Sequence, residues 1–242
     1  MLDGRKIAVI APCLNEEVKI ARVVERVRAM RRPIADDLLV IDDGSTDGSA
    51  AAAESRGATV IRLGRVMGVG AALRRGFQEA RARGAELIVV IAGNDKDEPE
   101  EIPDLVEPIA RGEADFVQGS RFLKAQSFGD MPRYRRIATR IHPLLFSACV
   151  GRRITESTNG FRAFRATLLD DPRIKLDQAW LDEYELEPYL LYKAITLGYR
   201  TAEVPCTKHY PPRKLGYTKM KPISGWWSIL RPLVLLRLGL RS

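Results

Sequence analysis

Leu38-Leu-Val-Ile-Asp-Asp-Gly-Ser-Thr-Asp-Gly48 decides the fold. Four apolar residues in a row suit a strand buried on both faces. Two carboxylates stop the strand, and Gly-Ser-Thr-Asp-Gly turns the chain into an Ala-rich helix that reaches about residue 56. The same unit recurs on either side. Residues 6–11 read as a strand followed by helix 16–30, and 58–63 as a strand followed by helix 70–83. Residues 86–91 read as a strand followed by helix 101–111, with a further strand at 115–118. Such alternation predicts an α/β fold with a right-handed, mostly parallel, Rossmann-like sheet flanked by helices. Sheets of this kind hold ligands at the carboxyl ends of their strands, so function is sought in the segments after each strand.

Beyond residue 120 the rhythm changes. The pattern predicts a loop at 122–130, a helix at 133–150, a short strand at 161–164, a helix at 183–197 and a strand at 199–204. No repeat or low-complexity linker divides the 242 residues, so one domain is expected over 1–220, followed by an amphipathic basic tail over 221–242. Thirty-nine Lys and Arg against 31 Asp and Glu leave a formal charge of +8. That excess suits anionic partners such as phosphates or an acidic membrane face, or is simply a solvated basic surface. No aromatic stacking platform accompanies it, which argues against nucleic acid. Cys13, Cys149 and Cys206 form no Cys-x-x-Cys pair, so neither a disulfide framework nor a zinc site is expected. With no apolar signal region before the first strand, the expected compartment is the cytoplasm, with peripheral contact at the inner face of the membrane.

The strand ends carry the chemistry. Pro12 stops the first strand, and Asn15 either caps the following helix or enters a site. Asp42 and Asp43 suit the ribose or the polar edge of a base; the alternative is a turn with a capped helix, for which Ser45 or Asp47 would suffice. Adjacent anions need a cation or donors to offset their repulsion, which favours a site. Gly68-Val-Gly-Ala-Ala-Leu73 makes a tight turn into a helix. It lacks the third glycine of a dinucleotide fingerprint and follows the wrong strand, which argues against a nicotinamide dehydrogenase. In Ala92-Gly-Asn-Asp-Lys-Asp-Glu-Pro99 the oxygen-bearing Asn94, Asp95 and Asp97 suit a hard divalent cation, Mg or Mn, bridging phosphates, or are solvated loop acids.

Taken in order, Pro12-x-x-Asn15-Glu16, Asp42-Asp-Gly-Ser-Thr-Asp47, Gly68-x-Gly70-x-Ala72-Leu73 and Gly119-Ser-Arg121 resemble glycosyltransferase family 2, whose fold is GT-A. Within it the chain is most similar to the dolichol-phosphate or polyprenyl-phosphate sugar synthases. Thr158-Asn-Gly-Phe-Arg162, Gly198-Tyr-Arg-x-x-Glu-Val-Pro205 and Arg213-Lys-Leu-Gly-Tyr-Thr-Lys219 extend the match across residues 6–220. The resemblance implies that Pro12, Glu16 and Asp43 frame a nucleotide, while Arg121 and the 213–219 loop approach phosphates. Guanidinium forks and a Lys point charge suit that task. The candidate nucleotide-contacting set is therefore Pro12, Asn15, Glu16, Asp42, Asp43, Gly68, Gly70 and Gly93. The candidate catalytic set is Arg121, Glu156, Glu185, Glu187, Arg213 and Lys219. There are departures: the family's Asp-x-Asp is Ala92 and Asn94 here, its Asp before the Gly-Phe-Arg segment is Glu156, and its basic residue between the third motif's glycines is Val69. Metal dependence and the donor sugar stay open.

The expected reaction is an inverting transfer from a nucleotide-diphosphate sugar to a polyprenyl phosphate or other membrane-proximal acceptor, because no second nucleophile is evident. A soluble hydroxyl acceptor, or a binding module without catalysis, are the alternatives. A hydroxyl acceptor needs a base, and Asp182, Glu183, Glu185 and Glu187 are the acids at hand. On a helix, Glu183 and Glu187 share a face, although acids in a first turn also simply suit the helix dipole. His142 reads as structural, whereas His209 is a candidate donor to phosphate. In the tail, Trp226, Trp227, Arg231 and Arg237 suit a helix lying on a membrane surface, with Arg133, Arg135, Arg136 and Arg140 as a second basic face. The tail's alternatives are packing back on the domain or contact with a second copy in a homodimer.

Overall fold

Apolar runs place strand β1 at Ile7–Cys13, β2 at Asp37–Asp42, β3 at Thr59–Arg62 and β4 at Leu87–Val90 in the computed structural model, which describes residues 4–30, 34–123, 131, 133–210 and 224–241. Three further strands follow: β5 at Phe116–Ser120, β6 at Arg162–Arg165 and β7 at Thr201–Pro205. The helices are α1 (Glu17–Arg28), α2 (Ser49–Glu54), α3 (Val69–Ala82), α4 (Ile102–Ala110), α5 (Arg133–Val150), α6 (Leu186–Thr196) and α7 (Ser224–Arg237). One sheet takes the order β3-β2-β1-β4-β6-β5-β7. Its first four strands are parallel neighbours, as the alternation predicts, and β5 and β7 are also parallel. The sheet is nonetheless mixed, because β6 inserts antiparallel between β4 and β5. A four-residue strand carries no mark of its direction in sequence; the chain's excursion through α5 returns it to the sheet from the opposite end.

Period-2 alternation splits the core into two layers. Ala8, Ile10, Leu39, Ile41, Ile88 and Val90 face Leu73 and Phe77 of α3, Phe146 of α5 and Tyr189 of α6. Ile7, Val9, Leu38, Val40, Leu87 and Val89 face α1 and α4 through Val23, Val24, Val27, Leu105 and Ile109. The helix expected from residue 183 begins at Leu186, with Pro188 in its first turn, where a missing N–H costs nothing. Residues 181–183 are instead used on α3: the Asp182 carbonyl accepts the Ala71 N–H at 3.0 Å.

Of the alternatives for the tail, α7 packs back on α5 and α6. Ile229 and Leu233 are buried. Arg231 bonds the Trp180 carbonyl at 2.6 Å and pairs with Glu185 at 2.6 Å. Buried His142 bridges Ser157 Oγ at 2.7 Å and the Ile229 carbonyl at 3.2 Å, which is the structural role expected of it. Trp227, Val234 and Leu238 stay exposed. No helix among the described residues is long and apolar enough to cross a membrane. The boundary expected at 220/221, and with it Arg213 and Lys219, lies outside the described residues.

Candidate active site

The turns after β1 and β2 interlock. Asn15, held at φ +48°, does not cap α1; its Oδ1 accepts the Thr46 N–H at 2.7 Å and its own N–H donates to Ser45 Oγ at 2.9 Å. The first turn of α1 is satisfied from across the cleft floor, by Ser49 Oγ on the Glu16 N–H and Asp47 Oδ2 on the Glu17 N–H. In return, the Glu17 carboxylate accepts the Gly48 N–H at 3.3 Å. Asp42 closes its own turn on the Ser45 N–H at 3.0 Å, so it serves the loop and does not line the cavity.

Asp43 does line it. Its two oxygens accept the N–H groups of Met67 at 2.7 Å and Gly68 at 3.0 Å, the donors that an adjacent pair of acids requires. Burial raises its pKa, the two backbone bonds oppose that rise, and Asp42 adds to it. Gly68 stands at φ +102°, and a Cβ there would lie 2.3 Å from the Asp182 carbonyl oxygen; at Gly70 it would lie 1.9 Å from that of Leu181. The glycines therefore admit close passage of the 181–183 backbone. Gly68 lines the cavity, and Gly70 is packed behind it.

The cavity has a volume of about 490 Å³, within the range of small-molecule sites. Pro12, Glu16, Asp43, Gly68, Gly93 and Asn94 line it from the strand ends. Arg121, Glu187 and Ile229 reach it from the second half of the chain. Arg121, 4% exposed, donates Nε to Glu156 at 2.5 Å, Nη2 to Thr158 Oγ1 at 3.1 Å and Nη1 to the Tyr210 hydroxyl. Burial lowers its pKa, but Glu156, Tyr210 and Cys206 together outweigh burial and keep the guanidinium charged. Glu156 itself is fully buried and also accepts the Thr158 N–H and hydroxyl, so it positions Arg121 rather than facing the cavity.

Other candidates part company. Glu185 is buried against Arg231 and does not line the cavity, whereas Glu183, Tyr184 and Glu187 do. Glu183 lies before α6, so it does not share a helix face with Glu187. Among the three expected metal ligands only Asn94 lines the cavity. Asp95, at φ +56°, turns to Arg26 and Arg22 of α1 at 3.6 and 3.9 Å. Asp97, fully buried, accepts the Ala92 N–H at 2.9 Å and pairs with Lys208 at 2.5 Å. No cluster of three His, Cys, Asp or Glu able to hold a metal occurs among the described residues. His209 pairs with Glu98 and is not among the lining residues.

Sequence reasoning passes over Lys96, Arg135, Tyr184 and Tyr210 as site residues, yet all four line the cavity. A lysine flanked by two aspartates reads as solvated; Lys96 is only 5% exposed. Burial lowers its pKa to about 7, helped by Arg135, Lys208 and Lys19 and opposed by Glu16.

A model of "Glycosyl transferase family 2" matches residues 8–171 of the chain. The chain belongs to that family. Among its relatives in the family, the undecaprenyl-phosphate mannosyltransferase of Micrococcus luteus is 30% identical over 220 residues, which are 89% of this chain and 87% of that protein. The polyprenol monophosphomannose synthase of Mycolicibacterium smegmatis is also 30% identical, with coverage of 88% and 80%. Among solved structures, glucosyl-3-phosphoglycerate synthase of Mycobacterium tuberculosis in complex with Mn2+, uridine diphosphate and phosphoglyceric acid superposes with a TM-score of 0.70. The identity is 26%, covering 99% of this chain and 80% of that one. This family 2 member is thus a glycosyltransferase with the GT-A fold.

Proposed function

We propose that this glycosyltransferase moves a sugar from a nucleotide-diphosphate donor to a polyprenyl phosphate, with inversion at the anomeric carbon. One observation carries the reading: the acids at the strand ends, Glu16 and Asp43, and the buried guanidinium of Arg121 open into the same cavity. Pro12, Glu16 and Asp43 frame the nucleoside, and Arg121, pre-oriented by Glu156, meets the diphosphate as the glycosidic C–O bond breaks. A phosphate acceptor is already anionic near neutral pH; its oxygen attacks the anomeric carbon directly, the nucleoside diphosphate leaves, and no base is needed. The names of the bacterial relatives support this acceptor class.

A lipid acceptor calls for a membrane surface, and α5 suits one. Tyr134, Ile137, Ile141, Leu144 and Leu145 are all exposed and, at 100° per residue, fall within an arc of about 100°. Exposed Arg133 and Arg140 lie along one edge of that stripe, a pairing of apolar and cationic groups suited to an anionic bilayer. A soluble acceptor is the second reading, favoured by the M. tuberculosis neighbour with phosphoglyceric acid bound; Glu183 or Glu187 would then serve as base. Thermal unfolding against UDP-, GDP- and CDP-sugars tests the donor class: the true donor at 100 times its Kd stabilises the protein by about 2.7 kcal/mol. No stabilisation by any of them removes the nucleotide-sugar reading. A product that retains the donor's anomeric configuration removes direct displacement.

A further inference from the structure

Three side chains hold the Arg121 guanidinium, and they are not equivalent. Glu156 accepts the Nε–H and balances the charge from a fully buried position. Thr158 and Tyr210 each accept an N–H through a hydroxyl oxygen, and both line the cavity. A hydroxyl that accepts still has a proton to give. Thr158 gives its proton to Glu156 Oε1 at 2.9 Å. The Tyr210 hydroxyl makes no second hydrogen bond among the described residues, so its proton is available at the cavity wall.

We infer that the Tyr210 hydroxyl, oriented by Arg121, donates a hydrogen bond to the sugar-bearing phosphate of the nucleotide donor. This rests on the nucleotide-sugar reading above and assigns it a phosphate-binding residue. Because Glu156 already offsets the Arg121 charge, what the pair offers an anion is oriented hydrogens more than net charge. Three of the guanidinium's N–H groups are used among the described residues, which leaves one on each terminal nitrogen. A phosphate that meets the N–H left on Nη1 also meets the phenol beside it. Accepting from a cation polarises the phenol's own O–H and strengthens it as a donor. The ring stands on a tied backbone: the Thr207 N–H bonds Glu101 at 2.6 Å, Lys208 pairs with Asp97 at 2.5 Å, and the His209 N–H bonds the Lys96 carbonyl at 2.7 Å. Sheet order selects the phosphate end of the donor. From β1 to β5, the strand that leads into Arg121, is three strand spacings, about 14 Å in all. A nucleoside framed by Pro12 and Asp43 at the ends of β1 and β2 therefore turns its phosphates, not its base, towards Tyr210.

The test is calorimetric titration of the full chain, in buffer with Mn2+, for wild type, Tyr210→Phe and Thr158→Val. The titrants are UDP, GDP and CDP, and the matching monophosphates UMP, GMP and CMP. Tyr210→Phe keeps the ring and removes only the hydroxyl. Whichever nucleoside diphosphate binds wild type should bind Tyr210→Phe roughly 10- to 100-fold more weakly, the range for a hydrogen bond to a charged group. Its monophosphate lacks the second phosphate and should lose less than about threefold, whereas damage to the fold would weaken both alike. Thr158→Val removes another anchor of Arg121 but no available proton, so its diphosphate loss should be smaller by about fivefold or more. Three results overturn the assignment of Tyr210 and leave the donor reading intact: undiminished diphosphate binding by Tyr210→Phe, equal losses for mono- and diphosphate, or equal diphosphate losses in the two variants. No binding of any nucleoside diphosphate to wild type overturns both.

Discussion

Asp43 and Glu156 illustrate two fates of a carboxylate near an active site. Asp43 spends both oxygens on backbone donors and still faces the cavity, as its place at a strand end predicts. Glu156 withdraws completely into an ion pair with Arg121. Replacing Glu156 by Ala leaves a buried guanidinium without its carboxylate, and the unfolding free energy in urea should fall by about 3–5 kcal/mol. His142 makes a pH prediction. Burial lowers its pKa below the ordinary value of 6.5, against weaker upward pulls from the Ile229 carbonyl and Glu156. The unfolded chain therefore binds the extra proton first, so the folded state loses stability as pH falls through about 6.5 and keeps it above. His142→Gln, which cannot be protonated, should narrow its stability deficit relative to wild type between pH 7.5 and pH 5.5; a gap that does not change with pH counts against this account. At this scale Asp43 was legible from its place at a strand end, whereas Asp42, Asp95 and Asp97, read in the same way, are spent on their own loops and on neighbouring cations. Lys96 was not legible, because nothing local distinguishes a buried lysine from a solvated one.

At the scale of elements, the first four strands and their helices could be read almost directly, since each buried run ends in its own punctuation. The later half resisted for stated reasons. The direction of β6 depends on the route the chain takes through α5, and the start of α6 depends on residues 181–183 being used at the N-terminus of α3. Gly70 marks that contact, and sequence alone read it as a turn residue. A methyl group at position 70 meets the Leu181 carbonyl 1.9 Å away, so Gly70→Ala must push two backbones apart. The expected cost is about 1–3 kcal/mol, seen as a lowered melting temperature; an unchanged one would deny the close passage.

Across the whole molecule, two helices of the second half, α5 and α7, help to wall the cavity with Arg135 and Ile229, and each leaves apolar side chains exposed on another face. Deleting the tail is a poor probe of membrane contact, because it also strips Ile229, Leu233 and the Arg231–Glu185 pair from the fold. The double substitution Ile137→Glu and Leu144→Glu touches only exposed positions. It should reduce co-sedimentation with anionic phosphatidylglycerol vesicles by tenfold or more, by the apolar area withdrawn from the bilayer, while leaving the melting temperature in place. Equal sedimentation of variant and wild type would assign that face elsewhere.

Sugar transfer itself gives the sharpest trial. Purified protein is incubated with the nucleotide sugar that stabilises it and a polyprenyl phosphate in detergent, and the lipid fraction is weighed by mass spectrometry. The account predicts a glycosyl phosphopolyprenol formed in step with nucleoside diphosphate, and at least a hundredfold slower with Arg121→Ala, the loss expected when a preorganised charge partner of the leaving group is removed. Nucleoside diphosphate release with no sugar on the lipid, or full transfer by the Arg121→Ala protein, would contradict it.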